Sequence, residues 1–172
     1  MLDREVLLRA AAVVEANRLA GLTVTTAESC TGGLVAGALT EIAGASEVLD
    51  RGYVTYSNEA KQEALGVHLD ILETFGAVSV AVAWAMAQGA LARSHADTAV
   101  EITGVAGPGG GSARKPVGMV VFARAVRGGD PDVVVADTRL FGDLGRTEIR
   151  RQAVLVALDL LMPIRPGDEG AG

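Results

Sequence analysis

The sequence is poor in residues that several classes of protein require. Its 172 residues include one cysteine, Cys30, which excludes a disulfide framework. Aromatic residues make up 3% of the chain, too few for the stacking surfaces that bind single-stranded nucleic acid. No apolar run reaches the roughly 18 uncharged residues that a membrane span needs. The N-terminal segment carries Asp3, Arg4 and Glu5 ahead of its apolar positions, unlike a secretory signal, so we expect a cytoplasmic protein.

Basic charge and metal ligands are also scarce. Fifteen Lys and Arg against 21 Asp and Glu give a net charge of −6, which disfavours a nucleic-acid surface but permits a small anionic ligand. The two histidines, His68 and His95, are far apart, and no paired-cysteine motif accompanies them. We therefore expect no metal, no other cofactor, and neither a nucleic acid nor a membrane as partner.

Hydrophobic residues and glycine are abundant, and their pattern predicts a layered α/β fold. The chain is 49% hydrophobic and has 22 glycines, many of them in three short clusters. The pattern predicts helices over 3–20, 31–42, 58–66, 79–94 and 145–161, and strands over 22–27, 52–57, 97–103, 119–126 and 132–141. Helices before and between strands, followed by an antiparallel pair, indicate a single α/β/α domain with a mixed sheet. We place that domain at 1–162 and a flexible tail at 163–172.

The turn between the first strand and the second helix is the first candidate site. A hydroxyl at this position, that of Ser29, lies at a helix N-terminus, where backbone N–H groups favour developing negative charge. The candidates for an oxyanion site are the backbone N–H groups of Cys30, Thr31, Gly32 and Gly33. The arrangement follows the logic of a nucleophile elbow, although the G-x-S-x-G pattern is absent. The alternatives are that Ser29 is only a helix cap, or that Cys30 is the nucleophile.

A serine nucleophile needs a base, and the second candidate segment, 53–61, offers one. Neither histidine is suitably placed, whereas Lys61 lies one turn into a predicted helix for which Asn58 is the expected cap. A lysine acts as a base only if burial or a nearby cation lowers its pKa towards neutrality. Ser–Lys pairs are a known variant of the catalytic triad. The alternative is a solvated surface lysine.

The third candidate is the glycine-rich segment GVAGPGGGSARKPVG, which follows the strand ending at Thr103. Unhindered N–H groups of such a loop can hold an oxyanion, a phosphate or an amide. The loop lacks the Gly-Lys-Ser/Thr ending of a Walker A motif. A flexible connection is the alternative. The candidate ligand-binding residues are Thr103, Gly104, Ala106, Gly107, Gly110 and Ser112.

The fourth candidate is the start of the last helix. Arg146 and Arg150 lie four residues apart, so they share a helix face near its positive end and are suited to hold one phosphate. The alternative is a solvated basic face that pairs with Glu148 or other carboxylates.

Five stretches of the sequence, in order, resemble the C-terminal domain of the CinA family, whose stand-alone members are nicotinamide-nucleotide amidohydrolases of the PncC type. The resemblance covers about residues 22–160. The stretches are TTAESCTGGLVAGALTEIAGAS, RGYVTYSNEAKQEALGV, GAVSVAVAWAMAQGAL, ITGVAGPGGGSARKPVG and GRTEIRRQAV.

The resemblance implies the CinA C-terminal fold and hydrolysis of the carboxamide of nicotinamide mononucleotide, without a metal. It implies Ser29 as nucleophile, Lys61 as base and Tyr56 as an assisting group. Asn58 is a further candidate substrate-binding residue. It also implies a homo-oligomer, and no activity of the N-terminal domain of longer family members. Glu101 departs from the family, because a small residue is expected there.

Two other functions stay open from the sequence. One is a non-catalytic module that binds a pyridine nucleotide or is associated with competence or DNA damage. The other is an amidohydrolase that acts on a different amide.

Overall fold

The computed structural model describes residues 1–164, so most of the expected tail at 163–172 lies outside the described residues. Within them the chain forms six α-helices, five β-strands and one 3₁₀ turn, Ala45–Glu47. The helices are α1 (Arg4–Ala20), α2 (Leu34–Thr40), α3 (Asn58–Leu65), α4 (Leu69–Phe75), α5 (Val80–Ala92) and α6 (Arg146–Leu160). The strands are β1 (Val24–Glu28), β2 (Leu49–Val54), β3 (Thr98–Gly104), β4 (Met119–Val126) and β5 (Ala136–Leu140).

The five strands form one mixed sheet in the order β2-β1-β3-β4-β5. β1 pairs in parallel with β2 and with β3, whereas β3–β4 and β4–β5 are antiparallel. The predicted hairpin of the last two strands is confirmed, although β5 is shorter than the predicted 132–141. Val133 and Val134 precede it and are exposed.

Helices cover both faces of the sheet, so the expected α/β/α layering is confirmed. α1, α2 and α6 pack on one face around Val100, Ile102 and Phe122. α3, α4 and α5 pack on the other face, against residues such as Ala27 and Ala99. The two faces follow the alternation of side chains along each strand.

The parallel strands define where a site can form. β1 leads to α2 on one face, and β2 leads to α3 on the other, so the connections diverge at the carboxyl ends of neighbouring strands. In open α/β sheets, ligands bind in the crevice at such a switch point. The first three candidate segments all lie at this edge of the sheet.

Close packing of α3 on α5 brings α3 into the site. A Cβ atom at Gly89 of α5 would lie 2.0 Å from the carbonyl oxygen of Leu65 at the end of α3. Only glycine at this position allows the two helix backbones to approach so closely.

The structure corrects several local predictions, among them the strand over 52–57, which is β2 at Leu49–Val54. α4 is not among the predicted helices, although the spacing of Leu69, Leu72 and Phe75 was the available signal. The cap of α3 is Ser57, whose hydroxyl accepts the N–H of Ala60, and Asn58 is the first helical residue. α2 begins at Leu34 instead of residue 31, because the preceding glycines adopt positive φ.

No helix within residues 1–164 combines the length and the apolar character that crossing a membrane requires.

Candidate active site

Ser29 and Lys61 meet at the carboxyl end of β1. Ser29 follows this strand, and its backbone N–H donates to the carbonyl of Ile102 on β3 at 2.9 Å. Lys61 lies on the first turn of α3, with its Nζ 3.2 Å from the Ser29 Oγ. The lysine is 1% exposed, so the alternative of a solvated surface lysine is wrong.

The contacts of Lys61 suit an uncharged amine. Its Nζ donates to the carbonyl of Thr55 at 2.8 Å and to that of Tyr56 at 3.2 Å. A neutral amine has two N–H donors and one lone pair, so these two carbonyls can take both donors and leave the lone pair to Ser29. A third carbonyl, that of Ser57, lies farther from the Nζ, at 3.5 Å. Burial lowers the pKa of Lys61, because desolvation penalises the charged form, while the nearby Glu101 opposes that shift.

Glu28 holds the turn that presents Ser29. Alternation along β1 places consecutive side chains on opposite faces, so Glu28 points to the α2 side. Its buried carboxylate accepts the N–H groups of Gly33 at 3.0 Å, Val35 at 3.1 Å and Ala36 at 2.9 Å. An anion at a helix N-terminus satisfies donors that otherwise lack partners. Glu28 therefore fixes the start of α2 relative to the end of β1.

Arg150 holds the same turn from α6. Its Nε donates to the carbonyl of Cys30 at 3.0 Å, and a terminal nitrogen donates to that of Thr31 at 3.1 Å. From the sequence, Arg150 is one candidate to hold a ligand phosphate, beside Arg146 and the glycine-rich loop. The structure instead places its guanidinium on backbone carbonyls of the turn.

These contacts narrow the set of N–H groups that could hold an oxyanion. The N–H of Gly33 is taken by Glu28, and that of Gly32 donates to the Ser29 carbonyl at 3.0 Å. Within residues 1–164, neither the N–H of Cys30 nor that of Thr31 donates to a backbone carbonyl. The residue after the nucleophile supplies an oxyanion donor in a nucleophile elbow, and that residue here is Cys30.

Cys30 itself is suited to packing, not to attack. It is 5% exposed, and burial raises the pKa of its thiol to about 12, with a further contribution from Glu101. A thiol needs a lowered pKa to act as a nucleophile near neutral pH. The structure therefore argues against the alternative that Cys30 attacks the substrate.

The Glu28 carboxylate provides a test of how the turn is held. Glu28→Gln should lower the free energy of unfolding by about 1.5–3 kcal/mol, because an amide nitrogen would face backbone N–H groups and the charged acceptor is lost. Denaturant unfolding measures the change, with Glu41→Gln at the exposed end of α2 as the matched control. Equal stability of the two variants would show that Glu28 does not hold the turn.

A cavity of about 200 Å³ opens over the Ser29–Lys61 pair. It brings together candidates from all four segments and two residues that sequence reasoning missed, Ala77 and Val78 between α4 and α5. The missed pair follows the helix that was also missed. The lining residues are Ser29, Cys30, Tyr56, Lys61, Ala77, Val78, Thr103, Gly104, Ala106 and Arg146.

Arg146 joins two walls of this cavity. One terminal nitrogen donates to the carbonyl of Gly107 at 2.9 Å, and the other donates to the Tyr56 hydroxyl at 3.0 Å. The Tyr56 hydroxyl is thus directed to the arginine, and Lys61 contacts the backbone carbonyl of Tyr56. Among the residues that line the cavity, Arg146 and Lys61 are the two basic ones.

Several predicted residues do not line the cavity. Thr31 is fully buried, whereas Asn58, Gly110 and Ser112 are exposed. The hydroxyl of Ser112 accepts the backbone N–H of Lys115 within the glycine-rich segment. The other predicted residues that do not line the cavity are Gly32 and Gly33 in the turn, Gly107, whose carbonyl accepts from Arg146, and Arg150.

Glu101 is the unexpected residue near the site. It is fully buried on β3, and neither carboxylate oxygen has a hydrogen-bond partner within residues 1–164. Burial raises the pKa of Glu101 well above its usual value, while Lys61 opposes that shift. Within the same residues, no group of three or more His, Cys, Asp and Glu side chains is arranged to hold a metal ion.

Fold and site together define an α/β protein with a buried serine–lysine pair at the switch point of a mixed sheet. The chain matches the model of the CinA C-terminal domain over residues 8–164, and it belongs to that family. The sequence-based resemblance to this family is therefore confirmed.

Two relatives and one solved structure illustrate the similarity. The nicotinamide-nucleotide amidohydrolase PncC of Escherichia coli is 48% identical over 161 residues, which cover 94% of this chain and 95% of that protein. A CinA-like protein of Mycolicibacterium vanbaalenii is 53% identical over 146 residues, covering 85% of this chain but 34% of the longer protein. The competence/damage inducible protein CihA of Agrobacterium tumefaciens is 53% identical, with a TM-score of 0.89 over 94% of this chain and 96% of that one.

Proposed function

We propose that the protein is a nicotinamide-nucleotide amidohydrolase, which converts nicotinamide mononucleotide and water to nicotinate mononucleotide and ammonia. The observation that carries the proposal is the buried contact of 3.2 Å between Lys61 Nζ and Ser29 Oγ inside the cavity. The similarity to the Escherichia coli relative extends over almost the full length of both chains, and the name of that relative supports the choice of substrate.

Acylation begins with proton transfer inside the pair. The neutral amine of Lys61 takes the Ser29 hydroxyl proton as Oγ bonds to the carboxamide carbon. The backbone N–H of Cys30, a residue that lines the cavity, holds the oxyanion; losing such a donor typically costs about 2.7–4 kcal/mol of barrier. Lys61 then gives the proton to the leaving nitrogen, and the C–N bond breaks. Ammonia departs, and the acyl group remains bound to Ser29 as an ester.

Deacylation repeats these steps with water. Lys61 takes a proton from water as its oxygen bonds to the acyl carbon. The ester bond to Ser29 breaks, and the proton returns to Oγ. The product leaves as a carboxylic acid, which releases its proton to solvent and becomes the carboxylate, and the pair regains its starting state.

The substrate's own charges suit the cavity. Its pyridinium ring withdraws electrons from the carboxamide carbon, and it favours an uncharged Lys61 through repulsion between like charges. Arg146, with the neighbouring N–H groups of Gly104 and Ala106, is our choice to hold the phosphate, because these residues line the cavity whereas Arg150 does not.

Ammonia release by the purified protein tests this function. The assay compares nicotinamide, its riboside, its mononucleotide and NAD, and we expect the mononucleotide to be the preferred substrate. Thermal stabilisation by the mononucleotide without ammonia release would indicate a binding module instead. Release from another amide alone would indicate a different amidohydrolase.

The rate should depend on pH through Lys61. Because burial lowers the pKa of Lys61, the uncharged base is present from a lower pH than for an ordinary lysine. We expect kcat/KM to rise with pH through that lowered pKa and to fall tenfold per unit below it. The pH profile of ammonia release measures this limb. A rate that is independent of pH from weakly acidic to alkaline conditions would contradict a lysine base.

The proposal also includes a homo-oligomer in a reducing cytoplasm. Apolar side chains at and before the edge strand β5, those of Val133, Val134 and Leu140, are at least half exposed and available to a second copy. Light scattering on the eluting protein tests the assembly. A monomer at micromolar concentration would remove this part of the proposal.

A further inference from the structure

Glu101 occupies a position on the sheet that connects it to the base. It pairs with Ala27 on β1 and with Ala123 on β4, two small residues that leave its carboxyl in apolar surroundings. Ala27 precedes Ser29 by two residues, so Glu101 lies one row behind the nucleophile on the same face. Thr103, which lines the cavity, follows Glu101 by two residues on that face.

Among residues 1–164, the surroundings of Glu101 offer one charged partner, Lys61. α5, which covers this face, has no titratable side chain in VAVAWAMAQGALA. On α3, Glu59 and Glu63 are exposed and Lys61 is buried. Lys61 is also the charged group whose field acts on Glu101.

Other titratable groups near the base do not replace this partner. Cys30, after β1, keeps its proton because its pKa is raised to about 12. Tyr53 and Tyr56, of β2 and the segment after it, direct their hydroxyls to the Arg93 carbonyl and to Arg146 of α6. Arg124, on β4, lies on the opposite face and reaches towards the Leu160 carbonyl.

A fully buried carboxyl without a hydrogen-bond partner costs folding free energy. Packing between Ala27 and Ala123 does not by itself require a carboxyl at this position. We propose that Glu101 tunes the Lys61 base from one row behind Ser29: the carboxyl stabilises the charged form of Lys61 and so sets the pH above which Lys61 accepts the serine proton. This role rests on the proposed function of the Ser29–Lys61 pair. Glu101 does not touch the substrate, so it is a positioning residue.

The direction of the effect follows from coupling between two buried groups. Burial alone moves the pKa of Lys61 down and that of Glu101 up, so that the two titrate as a pair. Whenever Lys61 is charged, ionisation of Glu101 becomes easier, and the carboxylate in turn holds the proton on Lys61. An uncharged group at position 101 removes this support, so Lys61 loses its proton at a lower pH.

Lysine-specific labelling measures this directly, because Lys61 and Lys115 are the two lysines of the chain. The pKa of Lys61 is read from the side-chain carbon signal of ¹³C-lysine protein during a pH titration. Lys115→Arg assigns the two signals. We expect Glu101→Gln to lower the Lys61 pKa by about one unit. Glu101→Leu, which removes the buried polar group altogether, should give a shift in the same direction.

Arg124→Met is the matched control, because it removes a charge from the neighbouring strand on the opposite face of the sheet. It should leave the Lys61 titration within about 0.2 units of the parent. An unchanged or raised Lys61 pKa in both Glu101 variants would overturn the proposal. This readout needs no substrate, so it stands apart from any failure of the amidohydrolase assay.

Activity gives a second readout that a packing defect would not produce. The rising limb of kcat/KM in Glu101→Gln should move to lower pH by the same interval as the Lys61 titration. At a pH well below the midpoint of the parent, a one-unit shift makes kcat/KM of Glu101→Gln about tenfold higher than that of the parent. A lower rate at all pH values with an unmoved midpoint would assign Glu101 a structural role only.

Discussion

Ser29→Ala is expected to reduce kcat for ammonia release by at least about 10⁴-fold while the fold is retained, because groups that act as one catalytic unit cannot replace a missing nucleophile. The hydroxyl is the atom that bonds to the carboxamide carbon. Its removal leaves a small cavity beside Lys61, and Ala is compatible with the extended end of β1. Steady-state ammonia release and the thermal unfolding midpoint measure the two parts of this expectation.

The matched control for this variant is Ser46→Ala, which removes an exposed hydroxyl in the 3₁₀ turn remote from the cavity. It should retain the activity of the parent. The two variants should also bind nicotinamide mononucleotide with similar affinity, since Ser29 acts in the chemical step. A Ser29→Ala protein with a rate near that of the parent would remove the proposed nucleophile.

Lys61→Met is expected to lower kcat by about 10³-fold or more, because a general base that works with a nucleophile is lost. Met keeps an unbranched apolar stem of similar length, so the packing of α3 should persist. High pH should not restore the rate, since the lost group is the proton acceptor itself. Lys115→Met, which removes the other lysine, should cost far less, and a restored rate at high pH would contradict the role of Lys61.

The same variant should change how stability depends on pH. The pKa of Lys61 is lowered in the folded state, so the unfolded chain binds more protons in the range between the two pKa values. Unfolding free energy of the parent should therefore fall as pH drops through that range. Lys61→Met lacks this dependence, and it should gain stability relative to the parent as the pH is lowered.

The sequence predicted the layers of the fold because periodicity is a local signal. The strand over 119–126 was predicted with the bounds that the structure has, and α1 differs by one residue. The predicted bounds of α2, the helix that follows Ser29, were less accurate. Two glycines with positive φ delay α2, and composition does not report backbone conformation.

The burial of Lys61 could not be derived from its own segment. An isolated lysine is usually exposed, and only the packing of α3 on α5 and the sheet removes this one from water. Family resemblance identified the residue, whereas its contact with a serine 32 positions away needed the fold. Arg150 reaches the same turn across 120 positions, so no local signal predicts its contact with Cys30.

Glu28 and Glu101 show two different limits of sequence reasoning. Glu28 adjoins Ser29, and strand alternation could have placed it at the start of α2, but no motif marks that role. Glu101 was recognised as a departure from the family pattern. Its complete burial one row behind Ser29, without a hydrogen-bond partner among residues 1–164, required the register of β3 with its neighbours.

The proposed mechanism depends on an acyl bond to Ser29, and hydroxylamine tests for this bond most directly. With nicotinamide mononucleotide as substrate, added hydroxylamine competes with water for an acyl-enzyme. We expect the hydroxamate of nicotinate mononucleotide to form in proportion to hydroxylamine, without slowing ammonia release. Nicotinate mononucleotide as the sole product at every hydroxylamine concentration, with ammonia release unchanged, would contradict it.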